Sequence, residues 1–173
     1  MDFDALRTAT LGFVESHKEW TPLIAGVLAF CESIAFVSLL VPATVILLGI
    51  GALVGAADIP FWPVVLAAAL GAALGDWISY EFGHHYKDGA KRMWPMRRYP
   101  EMVAKGEAFL HRWGAAAVAI GRFFGPARAV VPLIAGMFGV DRLPFQVANI
   151  LSALVWAFVL LAPGIGLLTY FQG

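Results

Sequence analysis

Gly121-Arg122-Phe123-Phe124-Gly125-Pro126-Ala127-Arg128-Ala129-Val130-Val131-Pro132-Leu133-Ile134-Ala135-Gly136 is the stretch on which the reading of this chain turns. It lies in an apolar segment, 113 to 140, that exceeds the ~20 helical residues a bilayer core requires. Yet it contains two arginines and two internal prolines. Each intramembrane charge costs roughly 2.5–3.5 kcal/mol on insertion scales, and each proline removes a helix hydrogen bond. Interrupted backbone survives at membrane depth only where protein or water satisfies it. The segment therefore reads as a broken helix facing the protein interior, with breaks expected at Pro126 and Pro132.

Three further apolar stretches lie outside it: 21 to 57, 59 to 80 and 143 to 171. The first has one charge, Glu32, and Pro42 near its middle; it is too long for one upright helix and lacks a polar loop for two. A broken or re-entrant hairpin fits better. The other two read as plain spans and as scaffold, with Ala67, Gly71 and Gly75 small enough for close helix approach. Of the 173 residues 60% are hydrophobic and 14% charged, with 12 basic against 12 acidic side chains, and mean hydropathy is +0.77. That composition excludes a nucleic-acid binder, a disordered tail and a water-soluble domain. It describes an all-α integral membrane protein. Cys31 is the single cysteine, so no internal disulfide can form. Met1-Asp2-Phe3-Asp4 lacks the order of a cleaved signal peptide, and insertion is expected to rely on the internal segments.

Residues 84 to 112 hold Lys87, Lys91, Arg92, Arg97, Arg98, Lys105 and Arg112 against Asp88, Glu101 and Glu107. The positive-inside bias puts this loop in the cytoplasm. Pro100-Glu101 suits a helix start, and Met102, Val103, Phe109, Leu110 and Trp113 recur at helical spacing, predicting an amphipathic linker helix on the inner surface. Orientation alone accounts for the basic charge, with a lipid-head-group function of the loop as the alternative.

Shifting the chain by 84 positions pairs Pro42 with Pro126, Ala43 with Ala127, Ile50 with Ile134, Gly55 with Gly139, and Pro60-Phe61 with Pro144-Phe145. The chain reads as a duplication: a single membrane domain over 1–173, with an N-terminal amphipathic segment (1–20), a first repeat (21–83), the basic linker (84–112) and a second repeat (113–171). If each half is a broken hairpin followed by one full span, the halves lie in opposite orientations. That is an inverted repeat, whose site is expected where the broken segments meet.

The charges inside these segments are the functional candidates. Arg122 and Arg128, set among Gly and Pro, combine guanidinium forks with freed backbone N–H groups, which suits a phosphate or carboxylate; the alternatives are snorkelling to the surface, easier for Arg122, or pinning a re-entrant turn by binding carbonyls. Glu32 is either a proton carrier or a static partner of an arginine. Asp76, beside the interface markers Trp77 and Tyr80, is expected to be reached by water and ranks second. No histidine pair has metal-site spacing, and no Ser-His-Asp order, phosphate loop or close carboxylate pair argues for an enzyme. Neither a metal nor another cofactor is expected.

The run from Gly121 to Gly136 resembles the signature of the DedA family, also called the VTT or SNARE-associated domain family. Glu32 ahead of Pro42-Ala43, Gly75-Asp76 with Tyr80 and Gly83, and Asn149 and Trp156 in the last span are similar to its pattern; the likeness covers about 25 to 165. The resemblance implies a multi-pass bacterial inner-membrane protein with two inverted re-entrant hairpins that moves a lipid phosphate, undecaprenyl phosphate or a phospholipid, apparently with proton coupling. It places the family's essential arginines on Arg122 and Arg128 and its first acid on Glu32. Where many members carry a second acid this chain has Thr44, the repeat partner of Arg128; a hydroxyl donates to phosphate but carries no proton at neutral pH.

The expected function is thus a lipid-phosphate flippase: Arg122, Arg128 and Thr44 on the head group, Glu32 and Asp76 for protons, and a membrane lipid and protons as partners. A proton-coupled antiporter of small cations and a non-transporting scaffold stay open, as does a homo-oligomer. Tyr170-Phe171-Gln172-Gly173 resembles a protease-tag remnant and is given no function.

Overall fold

A computed structural model of the chain describes residues 18–34, 43–56, 59–87, 89, 97–98, 100–124 and 127–172. Among these the regular elements are helices, with no strand. After a 3-10 turn at Lys18–Trp20 come α1 (Thr21–Ser33), α2 (Ala43–Ala56), α3 (Phe61–Tyr86), α4 (Pro100–Trp113), α5 (Ala116–Gly121), α6 (Ala127–Met137) and α7 (Arg142–Gln172).

Local chemistry sets several of these boundaries. Proline opens α1, within its first two residues, and α4, where a missing N–H costs nothing. The end of α3 is closed by Lys87, whose φ of 36° is left-handed and whose N–H donates to the Gly83 carbonyl at 2.9 Å. Gly139, at φ 74°, turns the chain between α6 and α7, a conformation glycine adopts without strain.

Two helices are long and apolar enough to cross a membrane, Phe61–Tyr86 and Arg142–Pro163. They run antiparallel: Arg142 bonds Glu81, Phe145 stacks on Tyr80, Asn149 donates to the Ala73 carbonyl and Phe158 packs on Phe61. Along α3, and in the same direction, lies α1. A Cβ on Gly71 would strike the Gly26 carbonyl, and one on Gly75 would lie 2.6 Å from the Phe30 carbonyl, so the small-residue spacing there brings backbone against backbone. On α7 lies α2, with Gly51 facing the Leu161 carbonyl at 2.8 Å from its would-be Cβ. The end of α3 crosses α6, where Gly83 abuts the Leu133 carbonyl and Gly136 the Tyr80 carbonyl.

The packing makes two apolar cores. One gathers Ala25, Ala29, Leu47, Val65, Ala69, Ala153 and Leu161 from α1, α2, α3 and α7; the other gathers Tyr80, Leu110, Val118, Leu133 and Phe145 from α4, α5, α6 and the facing ends of α3 and α7. Between them lie the buried polar side chains Glu32, Ser33, Asp76, Ser79, Arg122, Asn149 and Ser152. Both long helices pass through all three layers, apolar then polar then apolar.

Two expectations are corrected. The helix does not break at Pro132: α6 runs through it from Ala127 to Met137, because a proline this near the N-terminal end removes only the bond to the Arg128 carbonyl. Nor are α3 and α7 plain scaffold, since they supply Asp76, Ser79, Asn149 and Ser152 to the polar layer. The breaks expected at Pro42 and Pro126 lie outside the described residues. The helix predicted after Pro100 is α4, with Val103 and Leu110 buried.

Candidate functional site

Arg122 sits just past α5, in a turn whose N–H groups bond back to Val118, Ile120 and Gly121. Arg122 is 3% exposed, which rules out the snorkelling alternative for it. Nη2 donates to Asp76 Oδ2 and, at 2.6 Å, to Asn149 Oδ1; Nε donates to Ser152 Oγ at 3.0 Å. Asn149 is itself held, its Nδ2 donating to the Ala73 carbonyl at 2.9 Å. One buried nitrogen of this group, Nη1, has no hydrogen-bond partner among the described residues. The expectation that water reaches Asp76 is also corrected: it is 4% exposed and ion-paired to Arg122.

Arg128, in the first turn of α6, is placed differently. Nη1 donates to Glu32 Oε1 at 2.9 Å and Nη2 to Ser33 Oγ at 3.2 Å, both at the end of α1. Its guanidinium carbon lies 4.2 Å from the centre of the Trp156 ring on α7. The carbonyl of Ser33, one of those an α-helix leaves without an internal partner at its C-terminus, accepts from Ser79 Oγ at 3.3 Å. Thus α1, α3, α6 and α7 are joined through a handful of side chains.

The two arginines line one cavity of about 280 Å³, together with Leu48, Phe123, Trp156 and Leu160. Two guanidinium groups and two carboxylates make the centre neutral as it stands. Such charges are expensive to remove from water, and breaking a buried pair costs about 3–5 kcal/mol. Thr44 lies in α2, but its side chain is outside the described residues. Among the described residues no three His, Cys, Asp or Glu side chains are grouped so as to hold a metal ion.

Ser33, Asn149 and Ser152 were not among the site residues expected from sequence. The signal was present for the last two, an amide and a hydroxyl three residues apart in an otherwise apolar helix. Such a pair shares one helix face.

Two apolar spans carrying a sealed layer of paired charges define a helical membrane protein with a built polar centre. The VTT domain matches residues 41–166, and the chain belongs to this family, the DedA family of membrane proteins. It is 34% identical to Inner membrane protein YabI of Escherichia coli (strain K12), over 88% of this chain and 60% of the relative. It is 32% identical to an uncharacterized membrane protein of Buchnera aphidicola subsp. Schizaphis graminum (83% and 57%), and 27% identical to Inner membrane protein YqjA of Escherichia coli (strain K12) (80% and 63%). The chain spans about three fifths of the length of these relatives. No solved structure matches it.

Proposed function

We propose that the protein translocates a lipid phosphate, undecaprenyl phosphate or a phospholipid, across the bacterial inner membrane with proton coupling. The observation that carries this reading is the single cavity lined by both Arg122 and Arg128. Guanidinium groups bind phosphate through paired N–H donors.

The two arginines divide the work. Arg122, fixed by Asp76, Asn149 and Ser152, anchors α5 to both long helices and offers its remaining nitrogen. Arg128 is the one that changes partner: an arriving phosphate takes the guanidinium from Glu32, and the displaced carboxylate picks up a proton, keeping the centre near neutrality. Thr44 adds a hydroxyl donor. Asp76 stays with Arg122, so Glu32 is the coupling acid.

Alternating access follows if the halves are read as an inverted repeat, a reading that the helix arrangement supports. The repeat-related spans α3 and α7 are antiparallel, and the short helices are exchanged across them: α2 of the first half lies on α7, while its counterpart α6 lies on α3. The broken segments then meet at the polar layer, the usual site in such folds. In this reading the basic linker, 84–112, is cytoplasmic and the halves rock about the arginines.

The test is lipid-phosphate flipping in liposomes. Arg128→Ala is expected to abolish it in a protein that stays folded, and Arg128→Lys to impair it, since an ammonium lacks the fork. Flipping at the wild-type rate by Arg128→Ala would overturn the proposal. If the buried charges are only a scaffold, the swap Glu32→Arg with Arg128→Glu restores function; a translocase stays dead.

A further inference from the structure

The turn that carries Arg122 separates two cavities. Arg122 and Phe123 line the arginine cavity; their chain neighbours Gly121 and Phe124 line a second, of about 420 Å³, between α4, α5 and α6. Its size falls among ordinary ligand sites, roughly 300–1,000 Å³. The walls are hydrocarbon, including Phe109 and Ile134, and the one charged residue lining it is Lys105.

Those walls decide the occupant. A peptide segment would bury backbone N–H and C=O groups against surfaces with nothing to bond them, whereas an alkyl or isoprenoid chain meets them with van der Waals contact alone. The lining carries one positive charge, Lys105, which is exposed on α4, and the arginine cavity lies one residue further along the turn. An occupant with a long apolar chain and an anionic end matches both features.

We infer that this groove holds the hydrocarbon tail of the lipid phosphate whose head group occupies the arginine cavity, an inference that rests on the reading above. The tail crosses the Phe123–Phe124 turn, where both rings are exposed, and lies along α4. Because bilayer and groove are equally apolar, the groove supplies no hydrophobic driving force. Its contribution is orientation: a chain held beside α4 keeps the phosphate at the guanidinium groups and selects lipids by tail shape.

The test uses the full protein in phosphatidylcholine vesicles and a long-chain alkyl phosphate with a diazirine at the chain end. Photolabelling is expected on Phe109 and Phe124, to be competed away by unlabelled long-chain alkyl phosphate, and to be lost in Arg128→Ala. Gly106→Leu puts a side chain into the groove; a Cβ there meets only the flexible tip of Ile134, Cδ1 at 2.6 Å. This variant should lose the label while still binding butyl phosphate, read as a change in Trp156 fluorescence. Phe109→Trp narrows the groove from α4 and should behave alike if Gly106→Leu does not fold. Label on Leu48 or Val159 instead would overturn the inference. So would label on Phe124 that survives both Arg128→Ala and competition, because the groove would then hold bulk lipid. If wild-type protein fails to bind butyl phosphate, it is the arginine-site reading that fails, and this inference with it.

Discussion

The guanidinium of Arg128 lies over Trp156, its central carbon 4.2 Å from the ring centre, while its nitrogens reach Glu32 and Ser33 on α1. An arginine held on one side by a carboxylate and on another by an aromatic face can exchange the first contact without losing the second. A cation–π contact is worth about 0.5–2 kcal/mol, the upper end when desolvated. Trp156→Leu should therefore weaken lipid-phosphate binding by up to roughly thirtyfold, with Trp156→Phe in between. Equilibrium binding in nanodiscs measures both.

Arg122 and Arg128 should part company in stability. Removing Arg122 leaves the buried Asp76 without its ion-pair partner and the Asn149 and Ser152 groups without their donor, so Arg122→Gln should cost about 3–5 kcal/mol. Removing Arg128 leaves fewer polar groups stranded, and its loss should show mainly as lost flipping. Thermal unfolding in detergent, run beside flipping assays, separates them; equal destabilisation by the two variants would refute the division of roles.

Glycine contacts give a second stability contrast. At Gly136 a Cβ would run into the Tyr80 carbonyl and lie 2.7 Å from His84 N, whereas at Gly49 it meets nothing within 4 Å. Gly136→Val should destabilise by about 1–3 kcal/mol or more through overpacking. Gly49→Ala should be neutral or stabilising by up to about 1 kcal/mol, the helix preference of alanine. Melting temperatures by fluorescence-detected size exclusion would report both.

The antiparallel spans make a topological prediction. With the lone Cys31 replaced by alanine, single cysteines introduced for Lys87 and Asp141 should label from one side of the membrane, and one introduced for Pro60 from the other. Labelling of all three from one face would exclude α3 as a crossing helix.

How much of this was legible beforehand depended on what each residue reports. Glu32, Arg122 and Arg128 stood out because a charge in an apolar run has few explanations. Asp76 was misjudged because Trp77 and Tyr80 report depth along the helix rather than face. Trp77 is 45% exposed and donates to Glu81 at 3.2 Å. Asp76, one residue back and about 100° round the helix, points into the protein. Asn149 enters the sequence reading only through the family resemblance and Ser152 not at all, because a 31-residue apolar helix absorbs an amide and a hydroxyl without its average changing; their partner Arg122, 27 residues away in the chain for Asn149, gives them a role. Pro132 marks no break, since one forfeited bond, that to the Arg128 carbonyl, does not end a helix that continues to Met137.

The division into two apolar cores has a mechanical consequence. The long helices act as rods threaded through both blocks, clamped firmly in each and connected in between by a few directional bonds at Asp76 and Ser79 on one rod and Asn149 and Ser152 on the other. In the transport reading proposed above, a tilt of one block against the other would strain these hydrogen bonds before it disturbed either apolar core. Close packing within each block and directional bonding at their seam thus come from the same alternation along the two spans.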